Sequence, residues 1–394
     1  YQSTCANADK AKVDIKRGKT YMRRRQFFKL TGTFCATISA ASSLGCSHKK
    51  FYNPDQDIII GGGRFKKAGE IHNVLAIANL LQRDTQLVDT SFLPHATIID
   101  PLDKKRVVTF ERNGSRAAAI DLNKHDVISE FNTERSNTFS GYGAFDPSGA
   151  MIYCIESDVS SSEGMILLRD AESFKPLGTI PSYGKNPIGC KLLNEGQLIA
   201  VANRGDQDTQ ARITYIDIQN NKLVEEVLIE ADNLNNCQFT ISDSGTLIVT
   251  SSAKEPDQVG QVAISDAEGK LKTMHEPKAL TDRLFGDAHS ICIDEQHVIA
   301  AITHSQANLL TFWSLQENKL YKAMSVPNPR GITLSVNQKY YIVCYGIDAS
   351  SILIRTKDLV ADKASVMQPT YITGDQTLNW SRTLREIMPG RIYS

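Results

Sequence analysis

No apolar run in this sequence reaches the ~18 residues that a membrane-spanning helix requires, and neither sign of charge prevails. Lys plus Arg and Asp plus Glu number 44 each. That leaves no basic surplus for the phosphates of nucleic acid, which is therefore not an expected partner. There is no HExxH and no CxxC for a zinc site, no CxxCH for a c-type haem, and no GxSxG for a serine hydrolase. Cysteine is sparse beyond the N-terminal segment. Cys154, Cys190, Cys237, Cys292 and Cys344 each fall in a separate apolar run, and an odd set cannot pair completely. They read as buried thiols rather than a disulfide frame. With 394 residues and 41% hydrophobic composition, the chain is globular and long enough for one repeat domain or two ordinary ones.

What the sequence does contain is a repeat. Gly141–Asp158, GYGAFDPSGAMIYCIESD, reads as a strand, a tight turn at Asp146-Pro147-Ser148-Gly149 and a second strand. Similar stretches start at Pro94, Pro187, Asn235, Ala288 and Pro329, roughly 41 to 53 residues apart. That is the period of one four-stranded propeller blade, although the WD dipeptide of the best-known propeller class is absent. In the second unit the four strands are expected at Ala96–Ile99, Arg106–Phe110, Ala117–Leu122 and Val127–Phe131. The first unit, from Asp57, lacks an innermost strand. Its Gly61-Gly62-Gly63 is followed by no Lys-Ser/Thr pair, so it reads as an inter-strand loop and not a phosphate cradle. Trp380–Ile387 resembles one further strand. Pairing it into the first unit would hide the last sheet edge. The fold expected is all-β: a seven-bladed β-propeller, first blade closed by the C-terminal strand, with six or eight blades compatible with the spacing.

The N-terminal segment reads differently. Arg23-Arg24-Arg25-Gln26-Phe27-Phe28-Lys29-Leu30 matches a twin-arginine export signal, and mildly apolar Thr31–Leu44 suits its h-region. Ser43-Leu44-Gly45-Cys46 resembles a lipoprotein cleavage box with Cys46 as the acylated residue, while Ser39-Ala40-Ala41 offers a rival soluble-type site. The organisation expected is a signal segment over 1–46, a linker over 47–56 and the propeller over 57–394. The periplasm is the expected location, the twin-arginine translocase a transient partner, and a lipid anchor an open alternative.

In a propeller, the loops leading into the innermost strands and those joining second to third strands emerge on one face. The former carry His95, Tyr142, Asn236, His289 and Arg330; the latter carry Arg112, Glu156, Asp158, Asn203, Arg204, Asp206, His304 and Asp348. Polar groups gathered at one mouth form the default binding site of such a fold. The structural alternatives are that His95 and His289 tie blades together, that Arg112 and Glu156 form an inter-blade ion pair, and that Asp158 and Asp206 cap turns. A metal site from His95, His289 and Glu156 is conceivable across the channel. Trp313 reads as core.

The twin-arginine leader, GGGR, GxGxFxPxG, Glu156 in IESD, PSxGxxP at Pro181–Pro187 and VANRG at Val201–Gly205 occur here in one order. In these features the chain resembles an uncharacterised bacterial family, domain of unknown function 1513, over essentially everything after residue 20. The resemblance implies an exported seven-bladed propeller. Its genes' association with imelysin-like iron-regulated and dihaem peroxidase-like proteins implies a periplasmic role tied to iron or redox. Three family histidines are Tyr142, Tyr183 and Ile188 here, which weighs against a histidine-based metal or haem site. Arg112, Glu156 and Asn203 match and carry over. Two functions follow as expectations, with a structural scaffold that takes no small ligand as a third should side chains plug the mouth. One is a non-enzymatic propeller that binds a ligand or partner protein at its mouth. The other is a propeller enzyme, either a metal-dependent hydrolase or lactonase or a redox enzyme.

Overall fold

The computed structural model describes residues 55–134, 136–229, 234–253 and 259–387. Arg24, Arg25 and Cys46, with the export signal and cleavage sites, lie outside the described residues, as do the side chains of Asn236 and Cys237. The described residues form seven four-stranded antiparallel sheets. Their innermost strands are Thr377–Asn379 for blade 1, Pro94–Ile99 for blade 2, Asn137–Phe145 for blade 3 and Pro187–Leu193 for blade 4. Leu234–Ile241, Ala288–Asp294 and Pro329–Leu334 follow for blades 5 to 7. Each innermost strand touches that of the next blade, and the seventh touches the first, so the array closes into a ring.

Alternating side chains explain why the sheets stack. In the second strand of blade 1, Ile58–Lys67, Ile58 and Ile60 pack with blade 2 while Ile59 packs with Ile342 and Cys344 of blade 7. The same division recurs around the ring, with one apolar cluster at each junction between neighbouring blades. A strand buried on both faces is apolar nearly throughout. Ile299–His304 and Leu309–Ser314 are accordingly buried at every residue. Trp313 is core, as expected. Cys154, Cys190, Cys292 and Cys344 are free thiols, and burial pushes Cys190 and Cys292 up to about 12.

Two local expectations need correction. The strand that completes blade 1 is Thr377–Asn379, and the run after it is helical: of the two α-helices among the described residues, α1 (Lys278–Thr281) and α2 (Trp380–Ile387), the second occupies the predicted strand. Trp380 and Leu384 stand one turn apart and bury into the junction of blades 1 and 2. The Asn379 side chain accepts from the Arg382 amide at 3.3 Å, and Arg382 pairs with Glu386 at 2.9 Å. These are helix-start and i,i+4 interactions. Trp380 Nε1 donates to Lys104 O of blade 2. From this anchor, Arg382 and Glu386 act electrostatically on Cys292 of blade 6, and Glu386 on Lys191 of blade 4. The bond to Lys104 places the helix on the face of the turns that join first to second strands.

The second correction concerns Gly61-Gly62-Gly63, which lies inside a strand and not in a loop. A Cβ on Gly62 would fall 1.9 Å from Pro94 O, and one on Gly63 would fall 2.0 Å from Tyr371 O. Only glycine lets the innermost strand of blade 2 and the segment between blades 7 and 1 run this close to it. Gly62 O accepts the amides of Thr373 and Gly374 at 3.1 and 2.9 Å. The same contact fixes the segment that carries Asp375. Gly62→Ala is expected to cost about 3 kcal/mol or more, because the clash is with backbone that cannot rotate away. Urea unfolding of the purified domain measures it.

Candidate functional site

The loops leading into the innermost strands and those joining second to third strands do share a face, and five of the expected residues meet there. Asp375, in the closing segment two residues before Thr377, is their hub. Its Oδ1 lies 2.8 Å from Arg330 Nη1 and 2.9 Å from His289 Nδ1; its Oδ2 lies 3.6 Å from Arg112 Nη1. Blades 1, 2, 6 and 7 thus converge on one carboxylate. Burial alone would raise that carboxyl, but the hydrogen bond and charge of His289 and the Arg330 hydrogen bond hold it well below the usual carboxylate range.

His95 and Tyr142 stand beside this hub. Their rings meet edge-on at 5.0 Å. Gly141, with φ of +96°, lets them do so: a Cβ there would lie 2.7 Å from His95 Cδ2. Burial, helped by the charge of Arg112, lowers His95 to about 3, so its imidazole is neutral. Tyr142 is raised above its ordinary value by burial. Its hydroxyl exchanges hydrogen bonds with the Gln238 amide at 2.8 and 3.2 Å. This contact joins blade 3 to blade 5 past blade 4. Gln376 Nε2 donates to His289 O at 2.8 Å, joining blade 1 to blade 6 past blade 7. Both bridges narrow the axial space. His304, buried and lowered to about 3 by desolvation and the charge of His289, hydrogen-bonds Thr311 at 3.0 Å.

Glu156 and Asn203 do not reach the mouth, contrary to expectation. Glu156 is fully buried in blade 3, where Asn137 Nδ2 donates to it at 3.0 Å and Arg169 Nη2 lies 3.3 Å away. Burial raises its carboxyl above the ordinary value in spite of those partners. Arg169 also donates to Asn132 O and Phe174 O and stacks over Phe131. The pairing of Arg112 with Glu156 is thus replaced by Arg112 with Asp375 and Glu156 with Arg169. Asn203 accepts from Ser182 Oγ at 2.8 Å and donates to Thr214 Oγ1 at 3.1 Å. Glu156 turns back into its own blade, whereas Asn203 of blade 4 is held against Ser182 in the outermost strand of blade 3.

Asp158 caps a turn: it accepts the amides of Ser160 and Ser161 at 2.9 and 2.8 Å, and these with the serine hydroxyls hold it down at about 2. Asp206 caps another, accepting the Thr209 amide at 2.7 Å and pairing with Lys185 at 2.8 Å. Arg204 pairs with Asp287 at 3.6 Å. Asp348 lines a separate cleft of about 360 Å³ with Arg64, Phe65, Tyr371 and Thr373. The trio His95, His289 and Glu156 is not assembled, since Glu156 faces Arg169. Among the described residues, no group of three or more His, Cys, Asp and Glu side chains is arranged to hold a metal ion.

The closed ring of four-stranded sheets, with polar groups gathered at one end of its axis, places this chain among the seven-bladed β-propellers. Within that class it belongs to the family described as protein of unknown function (DUF1513), whose profile matches residues 93–368. No protein of curated function matches the sequence. Among solved structures, a Kuenenia stuttgartiensis hydrazine synthase chain is similar at TM-score 0.61 and 14% identity, over 80% of this chain and 99% of that one. Dihydro-heme d1 dehydrogenase NirN in complex with DHE is similar at TM-score 0.55 and 10% identity, over 86% of this chain and 78% of that one. At such identities the likeness is one of fold.

Proposed function

We propose that this propeller binds a small ligand, or an exposed group of a partner protein, at the mouth centred on Asp375. We place it in the periplasm after twin-arginine export, in a role connected with iron or redox chemistry. The convergence of Arg112, His289 and Arg330 on a single carboxylate carries the binding reading. Such groups at the axis are what a ligand arriving along it would meet. The Arg24-Arg25 leader supports export, with Cys46 the residue that acylation would use. The iron or redox connection draws its support from the family resemblance, with which the haem in the name of one solved neighbour agrees.

Protonation favours binding over catalysis. Asp375 is held below the carboxylate range, His95 at about 3, and Tyr142 above its ordinary value. None of these three is poised near neutral pH to pass a proton. The enzyme alternative draws on the contact between Asp375 and His289 Nδ1, in which a carboxylate fixes an imidazole's tautomer. Metal analysis of periplasmic protein separates the metal-dependent form of that alternative from the binding reading.

The test is native mass spectrometry of full-length protein isolated gently from the periplasm. A mass adduct should accompany the wild type and be lost from the Arg112→Gln/Arg330→Gln double variant, with the melting curve of the variant still cooperative. An adduct retained by that variant, or none on either protein, would overturn the proposal.

A further inference from the structure

We infer that the group taken at the mouth is an oxyanion, a carboxylate or phosphate, held by Arg112 and Arg330 beside Asp375; this rests on the binding reading above and names its ligand class. Charge is the first observation. Two guanidinium groups flank one carboxylate. Other carboxylates on this face are engaged elsewhere: Glu111 pairs with Arg116, Asp206 with Lys185 and Asp287 with Arg204, while Asp158 caps a turn and Asp348 lines the separate cleft. The hub therefore has at least one positive charge more than it has anions to meet it.

Hydrogen bonding is the second observation. Arg112 approaches Asp375 only to 3.6 Å, beyond hydrogen-bond reach, and its side chain is 28% exposed. It makes no hydrogen bond among the described residues, so its planar fork of donors is unused. Arg330, 31% exposed, spends one nitrogen on Asp375. A guanidinium fork matches the paired oxygens of a carboxylate or phosphate.

The third observation is buried and independent. His95 is 6% exposed, and its Nε2 has no hydrogen-bond partner. Its electrostatic neighbours are Arg112, Asp375 and His289, the members of the hub. Ser140 Oγ, two residues before Tyr142 on the same strand, is likewise buried without a partner. Buried polar atoms are seldom left so in a native protein unless something arrives to meet them. A neutral imidazole and a hydroxyl can each donate one hydrogen bond to an oxyanion without adding charge. The Tyr142–Gln238 and Gln376–His289 bridges limit the space, so the anionic group is small.

Isothermal titration of the full-length protein at low salt tests this with citrate, succinate and inorganic phosphate, and putrescine as a cationic control. At least one anion should bind with one-to-one stoichiometry. Arg112→Gln and Arg330→Gln should each weaken it roughly tenfold or more, and Arg112→Lys nearly as much because the fork is lost. Asp375→Asn should tighten it, since a competing carboxylate is gone. Preference among citrate, succinate and phosphate distinguishes carboxylate from phosphate. Binding of putrescine in preference to every anion, or anion affinity unchanged in all the arginine variants, would overturn the inference. If the mass adduct described above survives saturating anions, the ligand class fails while the mouth remains a binding site. If neither adduct nor anion binding is found, both readings fail.

Discussion

Between pH 6.5 and about pH 4, the propeller is expected to lose stability at about 1.4 kcal/mol per pH unit for each of His95 and His304. Both are buried and neutral in the folded chain, lowered from 6.5 to about 3. As the pH falls below 6.5, the unfolded chain takes up protons at these positions and the folded chain does not. Stability contributed by the neutral imidazoles is thus complete above 6.5 and drains away toward 3. Over two pH units the pair amounts to about 5 kcal/mol, a large share of the stability of an ordinary domain. Asp375 is also lowered, but from 3.8, so its own loss begins only at more acid pH. Glu156 is raised and offsets part of the loss as it protonates. Urea midpoints taken from pH 7 to pH 4.5 should fall accordingly, and His304→Gln should remove about half of the slope. A flat profile would mean that these imidazoles are not buried as described.

Arg169→Ala is expected to destabilise the fold by about 3 to 5 kcal/mol, because it strands the fully buried Glu156 beside an empty space. Arg169 also closes three interactions at once, with Asn132 O, Phe174 O and the Phe131 ring, so its loss unpins the junction of blades 2 and 3. Pairing it with Glu156→Leu should recover much of the loss, since a buried ion pair replaced by apolar groups is often close to neutral. Urea unfolding of the two variants reads both outcomes. Binding at the mouth should survive in the double variant, for neither residue approaches Asp375.

The repeat was legible because each blade is apolar on both faces and turns sharply between strands. Boundaries in blade 2 differ from those expected by only a residue or two: Pro94–Ile99, Arg106–Glu111, Arg116–Asp121 and Asp126–Asn132. Closure by the C-terminal strand was legible as a topological need, but its position was not. Trp380 and Leu384 look like strand residues until their four-residue spacing is set against the Asn379 cap. Glycine at 61–63 looks like a loop in the sequence because close backbone approach leaves no sign beyond glycine itself.

At the site, His95, His289 and Arg330 were found because each is the second residue of an innermost strand. Asp375 is not legible from the repeat, because it precedes a strand of only three residues that carries little of the blade pattern. Aligning Thr377–Asn379 with the other innermost strands would have brought it out. Glu156 and Asn203 have the right height on their blades and the wrong rotation, and rotation depends on partners such as Arg169 and Ser182 that lie elsewhere in the sequence.

Whether Asp375 holds side chains of distant blades together is best measured by double-mutant cycles of Asp375→Asn with Arg330→Gln and with His289→Gln, followed by urea unfolding at low salt. A coupling of about 1 to 3 kcal/mol is predicted for the Arg330 pair, a charge-assisted hydrogen bond at 2.8 Å, with a smaller positive value for His289. Coupling indistinguishable from zero in both cycles would contradict the convergence of blades 1, 6 and 7 at this mouth.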